Sequence, residues 1–245
     1  MSTETLRQDP SPRRPKAVSL QHALTTRLRE DILNGSISPD EAVTQDMIVE
    51  RYGVSRPTAI PAILVIIHRH GILKQNMNRS ARVPLISATE LPDIHRARKL
   101  VEIDTFGSIL HKKPGAAEHF ESARHALRDT MRALLRNYDE NQNDEILRHE
   151  FAFHELLISL PAVPVLQRMY EGIGDVARLA IYQNGVVPPP TLLAQQHIAI
   201  VDSLELGFRK NDWEPFREAS GAHLLEIMVI PAGAEPPHIV DVPGF

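Results

Sequence analysis

Hydrophobic residues recur at intervals of four in the first part of the chain, a spacing typical of an amphipathic helix. These residues are Leu20, Leu24, Leu28 and Ile32. The pattern predicts a helix that begins after Ser19 and ends at the Asn34-Gly35 pair, because glycine readily ends a helix.

Two shorter helical patterns and a hairpin follow. The second helix is predicted over about residues 45–52, and the third runs from a cap at Ser55 to about residue 70. Residues 72–83 then form two short apolar runs around a polar tip, which predicts a hairpin, or wing. Three helices followed by such a hairpin predict a winged helix-turn-helix, an architecture that binds DNA.

Beyond Pro84 the pattern changes to six longer amphipathic helices without strands or internal repeats. They are predicted over about residues 88–110, 116–137, 144–160, 163–182, 191–206 and 212–228. An antiparallel helical bundle is the simplest arrangement that buries six such faces. The predicted fold class is therefore mainly α. Its predicted parts are a flexible arm (1–17), a winged helix-turn-helix (18–84), an all-helical domain (85–230) and an irregular tail (231–245).

Composition narrows the class of protein. Among 245 residues 42% are hydrophobic, as in a globular protein, and the absence of cysteine excludes disulfides, thiolate nucleophiles and cysteine-ligated zinc. No apolar run approaches the roughly 20 residues that span a bilayer, and no signal-peptide core is present at the N-terminus. We therefore expect no membrane partner and a cytoplasmic location.

The charge is distributed unevenly between the two predicted domains. Residues 1–85 hold 12 Lys and Arg against 8 Asp and Glu, whereas the remainder holds 15 against 23. A polyanion such as DNA would bind the first part rather than the second. This charge difference is small, so by itself it is weak evidence for nucleic-acid binding.

Candidate metal ligands lie on the third helix of the predicted bundle. Glu150 and His154 are four residues apart and therefore share one helical face, which is flanked by apolar residues. His197 and His223, on two later helices, could complete a site for a divalent metal ion. The alternative for Glu150 and His154 is an ordinary hydrogen-bonded or surface pair.

The other histidines show no comparable pattern. His149 precedes His154 by five residues, so the two point in different directions and do not form the zinc-protease motif. We expect His149 to be exposed. The remaining histidines are interpreted as ordinary surface or core residues: His22, His68, His70, His95, His111, His119, His125 and His238.

The N-terminal domain resembles the GntR family of bacterial transcription regulators. The resemblance rests on Ile32-x-x-Gly35-x-Ile37-x-Pro39, Gly53-Val54-Ser55-Arg56, Gly71-Ile72-Leu73 and Asn78-Arg79-x-Ala81-x-Val83. It implies that the recognition helix contacts the major groove through Ser55, Arg56 and Thr58. It also implies that Asn78 and Arg79 contact DNA from the wing.

This domain departs from the family pattern at two places. Ile60-Pro61 stands where the family usually carries Arg-Glu, and Ser80 replaces the usual wing glycine. Ile60 cannot form a bidentate hydrogen bond with guanine. Pro61 has no N–H group, so we predict a kink or a 3₁₀ start in the recognition helix.

The helical domain resembles the FCD effector domain of FadR-like GntR regulators. The resemblance rests on Arg98-x-x-Val101-Glu102, Glu150-x-x-Phe153-His154, Pro164-Val165-Leu166, His197-x-x-Ile200-Val201, and Asp212 with His223. It implies that a divalent ion is held by Glu150, His154, His197 and His223. Zinc is the first candidate, and nickel, manganese and iron also suit such ligands.

The same resemblance implies that a small carboxylate effector binds at the ion. Arg98 would bind its second acidic group; the alternative for Arg98 is a surface ion pair with Glu102 or Glu90. The family's acidic ligand is usually aspartate rather than glutamate, and an asparagine common before Pro164 is Val163 here. Residues 205–210 resemble an insertion absorbed by a loop.

Together these features predict a ligand-responsive transcription regulator, a repressor rather than an activator and not an enzyme. It would bind double-stranded operator DNA as a homodimer. One alternative is a metal-dependent hydrolase, for which no general base is identifiable. The other is a degenerate regulator whose DNA binding is weakened by Ile60-Pro61.

Overall fold

The computed structural model describes residues 19–39, 41–75, 80–105, 110, 112–136, 142–185 and 187–226. The predicted arm and tail lie outside these residues. The fold is mainly α, as predicted, with a winged helix-turn-helix followed by a helical bundle. No helix in the described part of the chain is long and apolar enough to cross a lipid bilayer.

The head consists of three helices and a two-stranded hairpin. Its elements are α1 (Leu20–Leu33), α2 (Gln45–Tyr52), α3 (Arg56–Val65), β1 (Lys74–Gln75) and β2 (Ala81–Arg82). The strands pair antiparallel with Lys74 opposite Arg82. Leu24, Leu28 and Ile32 of the predicted stripe on α1 are buried in the core of the head, whereas Leu20 at the start of the helix is exposed.

The recognition helix begins directly after Ser55, as predicted. Of the two alternatives, a kink or a 3₁₀ start, the 3₁₀ start was wrong, because Arg56 begins a regular α-helix that contains Pro57 and Pro61. Pro57 lies in the first turn, where a missing N–H group has no cost. After Val65 the helix continues as a π-helix (Ile66–His70). The single helix predicted over residues 56–70 therefore consists of an α-helical part and a π-helical part.

The bundle contains six α-helices in the described residues. They are α4 (Leu91–Lys99), α5 (Ala116–Arg136), α6 (Asn143–Ser159), α7 (Pro164–Asn184), α8 (Pro190–Lys210) and α9 (Glu214–Glu226). Large apolar side chains from α5, α6, α8 and α9 fill one core, among them Phe120, Phe153 and Phe216.

Two sequence predictions for the bundle were wrong. The first helix is not continuous over residues 88–110, since a 3₁₀ turn (Ala88–Glu90) precedes α4 and a π-helix (Leu100–Thr105) follows it. Residues 205–210 belong to α8 rather than to a loop. A side chain at Gly207 would lie 2.8 Å from the ring of Trp213, so the tight packing of α8 against the next turn depends on this glycine.

The head packs directly on α7 of the bundle. Leu179 of α7 is buried in the core of the head. Gln183 accepts a hydrogen bond from the backbone N–H of Ile86 and donates one to the carbonyl of Pro84, both at 2.9 Å. These contacts fix the segment between the two domains.

Candidate metal centre

Three bundle helices bring one carboxylate and three imidazoles together. Glu150 and His154 come from successive turns of α6, His197 from α8 and His223 from α9, and all four are buried. One potential ligand atom from each residue lies within 4.8 Å of those of the other three. The four residues predicted as ligands therefore form one cluster, and their binding of an ion remains a prediction.

The nitrogens of the cluster lie within hydrogen-bond distance of one another and of the Glu150 carboxylate. His154 Nε2 lies 2.8 Å from His223 Nε2, and these nitrogens lie 3.1 and 3.2 Å from Glu150 Oε1. His197 Nε2 lies 2.8 Å from Glu150 Oε2. Two nitrogens bound about 2.1 Å from one ion at a right angle are roughly 3 Å apart. The spacing suits a shared cation.

The outer nitrogens of two imidazoles have polar partners. His154 Nδ1 lies 2.6 Å from Glu102 Oε2, and His223 Nδ1 lies 2.8 Å from Gln196 Oε1. When Nδ1–H donates to such an oxygen, the Nε2 lone pair faces the cluster, which is the tautomer that binds a metal. The His197 ring is held instead by stacking on Phe153, with the ring centroids 3.7 Å apart.

Burial and charge set the protonation of the cluster. Burial alone would raise the pKa of Glu150, but attraction to the three histidines holds that pKa well below its usual value. Burial lowers the pKa of His197 to about 3 and also lowers the pKa of His223, against the attraction of Glu150. At neutral pH these two imidazoles are therefore neutral and the carboxylate is charged, as ligands must be.

His154 has the opposite shift. Burial tends to lower the pKa of His154, but Glu102 and Glu150 outweigh burial and raise it. Glu102 itself is held ionised: burial would raise its pKa, yet Arg98 and His154 lower it to about 2. Glu102 is thus a charged carboxylate that contacts both His154 and Arg98.

Arg98 is fully buried beside the cluster. Its Nε donates to Glu102 Oε1 at 2.7 Å, while Nη2 lies 4.0 Å from Glu150 Oε1. Nη1 and Nη2 have no hydrogen-bond partner among the described residues, and the guanidinium carbon lies 4.8 Å from the centre of the Phe151 ring. The alternative prediction for Arg98, a surface ion pair, gave the correct partner, Glu102, but the pair is buried rather than exposed. Two unused N–H edges in a buried site suit a carboxylate ligand.

Sequence reasoning missed His95. It lies one turn before Arg98 on α4 and is buried, and Nδ1 has no hydrogen-bond partner among the described residues. Burial, then the charge of Arg98, lower its pKa to about 4, and Glu150 and His223 also act on it. The spacing of His95 and Arg98 on one helical face was the available signal, but it is too common to identify a site.

Tyr170 and His149 are two further polar residues of the bundle, and neither belongs to the cluster. Tyr170 of α7 is buried with its hydroxyl unpartnered among the described residues, and burial, then Glu102, raise its pKa well above the usual value. His149 contacts Glu145 rather than the cluster, at 3.9 Å. Its side chain is 16% exposed, so the prediction that His149 is exposed was wrong.

Three of the five residues predicted to contact DNA, Ser55, Arg56 and Thr58, lie at the start of α3. The Ser55 hydroxyl occupies the cap position but makes a 2.9 Å hydrogen bond with the hydroxyl of Thr58 instead of a backbone cap. Arg56 forms an exposed ion pair with Asp46. Asn78 and Arg79 lie outside the described residues.

A winged helix-turn-helix on a helical bundle with a buried polar centre defines a class of DNA-binding transcription regulators. The FCD domain family matches residues 93–226, which is more than half of the chain. The protein belongs to the FCD-bearing, FadR-like branch of the GntR family of transcription regulators.

Comparison with known proteins agrees with this assignment. The chain is 22% identical over 201 residues to the HTH-type transcriptional regulator YdhC of Bacillus subtilis (strain 168), covering 81% of this chain and 83% of YdhC. It is 25% identical over 194 residues to the HTH-type transcriptional repressor NanR of Cronobacter sakazakii, covering 71% and 70%.

Solved structures share the fold. A transcriptional regulator GntR from Rhodococcus sp. RHA1 has a TM-score of 0.63 at 16% identity, over 85% of this chain and 95% of that chain. McbR/YncC of E. coli has a TM-score of 0.63 at 15% identity, over 86% and 95%.

Proposed function

We propose that this DNA-binding regulator is a repressor that senses a small organic acid at a metal ion in its bundle. The observation that carries the proposal is the buried guanidinium of Arg98, beside a cluster of four potential metal ligands. Its two terminal nitrogens have no hydrogen-bond partner in the part of the chain that the structure describes. A buried cation with unused donors is costly unless an anion occupies the site. The relative NanR, named as a repressor, supports the proposed sign of regulation.

The donor set fits a divalent ion. Glu150, His154, His197 and His223 would hold it, and three imidazoles with one carboxylate suit zinc, nickel, manganese or iron. When bound, the ion would supply a Lewis-acidic position for an oxygen of the acid. Glu102 and Gln196 orient two of the imidazoles, and such outer partners raise metal affinity about 10–100-fold.

Arg98 would select the acid by its second anionic or polar group. Because Glu102 engages only Nε, the planar Nη1 and Nη2 edge stays available for a bidentate carboxylate. His95, one turn away, offers a further buried nitrogen to the same ligand. A dicarboxylate or hydroxy acid fits this pair of anchors better than a simple monocarboxylate.

A response at the DNA requires contact between the sensor and the head. Helix α6 carries two of the proposed ligands and also Glu155, which accepts a 2.8 Å hydrogen bond from Arg29 of the head. Acid binding would bias the position of α6, and thereby the orientation of the head. Two protomers of a homodimer would place two such heads on the half-sites of a pseudo-palindromic operator, in the cytoplasm where the DNA lies.

The test is a gel-shift titration on the upstream region of the protein's own gene, with zinc-loaded protein and a panel of malonate, malate, citrate and acetate. We expect retarded DNA without acid and release by at least one di- or hydroxy acid. His197→Ala should bind DNA but ignore the acid, whereas His149→Ala, on the same bundle but outside the cluster, should respond normally. Identical responses of the two variants would reject the metal-dependent sensor.

A further inference from the structure

The outward face of the recognition helix is apolar where a DNA-reading helix usually presents polar groups. Ile60 and Leu64 lie one turn apart on α3, with 39% and 42% of their surfaces exposed. Arg56 precedes Ile60 by one further turn on the same stripe. Two large apolar side chains thus occupy the middle of the surface that the fold presents to the major groove.

The cation at the start of this stripe is already engaged. Both Nε and Nη2 of Arg56 donate to Asp46 Oδ1, at 3.0 and 2.6 Å. Guanine recognition needs two adjacent N–H donors of one guanidinium. The pair is exposed and therefore weak, so Arg56 can turn to a phosphate, but a fixed guanine contact is not what its geometry favours.

Ile60 and Leu64 also border a small cavity between α3 and the hairpin. The cavity has a volume of about 130 Å³. Its apolar lining comes from both sides: Ile60, Ile63, Leu64, Ile67, Val43 and Ala81. Gln45 and Gln75 complete the lining, so a methyl group that enters between α3 and the hairpin would meet apolar side chains on each side together with two amide groups.

Apart from Asp46 of α2, which pairs with Arg56, the segment that carries this face is cationic in sequence. Residues 51–85, which include α3 and the hairpin, contain six Lys and Arg and no Asp or Glu. An apolar stripe within a purely cationic segment suits a polyanion whose groove displays methyl groups. The thymine C5-methyl is the only such group in unmodified DNA.

We propose that Ile60 and Leu64 read thymine methyl groups in the major groove, so that operator half-sites carry thymine at the positions facing these residues. The inference rests on the DNA-binding part of the proposed function and is independent of acid sensing. It explains how a recognition helix without the usual Arg-Glu can still discriminate bases.

The experiment replaces thymine by uracil, which lacks only the methyl group. Duplexes are first selected from a random pool with the full-length chain, and each thymine of the selected half-site is then replaced singly. With the wild-type protein, we expect uracil at one or two positions to weaken binding about fourfold per methyl, measured by fluorescence anisotropy. With Ile60→Ala/Leu64→Ala the same replacements should change Kd by less than about twofold, because the contact is already absent.

Two further variants make the result decisive. Leu85→Ala removes an equally apolar, 76% exposed side chain outside α3 and should keep the wild-type response to uracil. Ile60→Arg should shift the selected base at its position from thymine to guanine. Uracil effects that are equal in wild type and double variant, or half-sites without thymine, would overturn the inference while leaving acid-controlled DNA binding intact. A chain that retains no DNA, or that uses this face for a protein, would overturn the inference together with the regulator proposed above.

Discussion

His95 illustrates how a single buried side chain can report on the polar centre. The unfolded chain takes up a proton at His95 below about pH 6.5, whereas burial and Arg98 lower the pKa in the folded protein to about 4. Between these values the unfolded state binds more protons, so the free energy of unfolding falls as the pH drops. The stabilisation is fully present above pH 6.5 and is lost as the pH falls toward 4.

We therefore predict that His95→Gln has a flatter pH dependence of stability. Between pH 7 and pH 5 the wild type should lose on the order of 1–2 kcal/mol more than the variant, measured by urea unfolding in chelator. His125→Gln, at an exposed histidine on α5, should follow the wild type. A variant curve that parallels the wild-type curve would show that His95 is not buried in its neutral form.

Residue-scale chemistry was only partly predictable. The pairing of Glu150 with His154 follows from helical spacing. His197 and His223 were candidates only because they lie on later helices, and the family resemblance then implied that they join the same site. His95 gave no usable signal because its environment is made by other helices. Glu102 was one of the two partners predicted for Arg98. The burial of the Arg98–Glu102 pair could not be predicted, because it depends on tertiary packing.

The bounds of a helix were predicted well where a single apolar stripe of that helix faces a single core. α1 and α2 match the predicted bounds within about a residue. The two π-helices were missed because a shift in backbone hydrogen bonding leaves little trace in apolar spacing. The second one carries Glu102, and π-helical turns are frequent at functional sites.

Helix α3 allows a test of its internal proline. Pro61 cannot donate to the carbonyl of Pro57, so Pro61→Ala should restore one backbone hydrogen bond and raise the free energy of unfolding by about 1–2 kcal/mol, measured by urea denaturation. Pro57→Ala, in the first turn, should leave stability unchanged or slightly lower. Equal effects of both substitutions would contradict the claim that Pro61 costs the helix interior a backbone hydrogen bond.

At the scale of the whole molecule, charged contacts join head and bundle. Arg29 of α1 donates from Nε to Asp175 Oδ2 at 2.8 Å and from Nη2 to Glu155 Oε1 at 2.8 Å. His70 Nδ1, at the end of the first π-helix, lies 2.7 Å from the same Asp175 oxygen. These partners are more than a hundred residues apart in sequence, so periodicity could not predict them.

The interface prediction concerns Arg29. Because Asp175 is only 2% exposed, Arg29→Ala should leave a buried carboxylate short of its main cation and lower the free energy of unfolding by about 2–3 kcal/mol. It should also speed proteolysis between head and bundle. Arg27→Ala on the same helix removes a 71% exposed partner of Asp31 and should cost less than about 1 kcal/mol. Equal losses in the two variants would contradict the role given to Arg29.

The central claim is that Glu150, His154, His197 and His223 bind one divalent ion. Its most direct test is elemental analysis of the purified full-length chain, wild type beside His197→Ala and His149→Ala. We predict close to one equivalent of a transition metal per chain in the wild type and in His149→Ala, and a large loss in His197→Ala. No metal in wild type grown in metal-replete medium, or full metal content in His197→Ala, would contradict the claim.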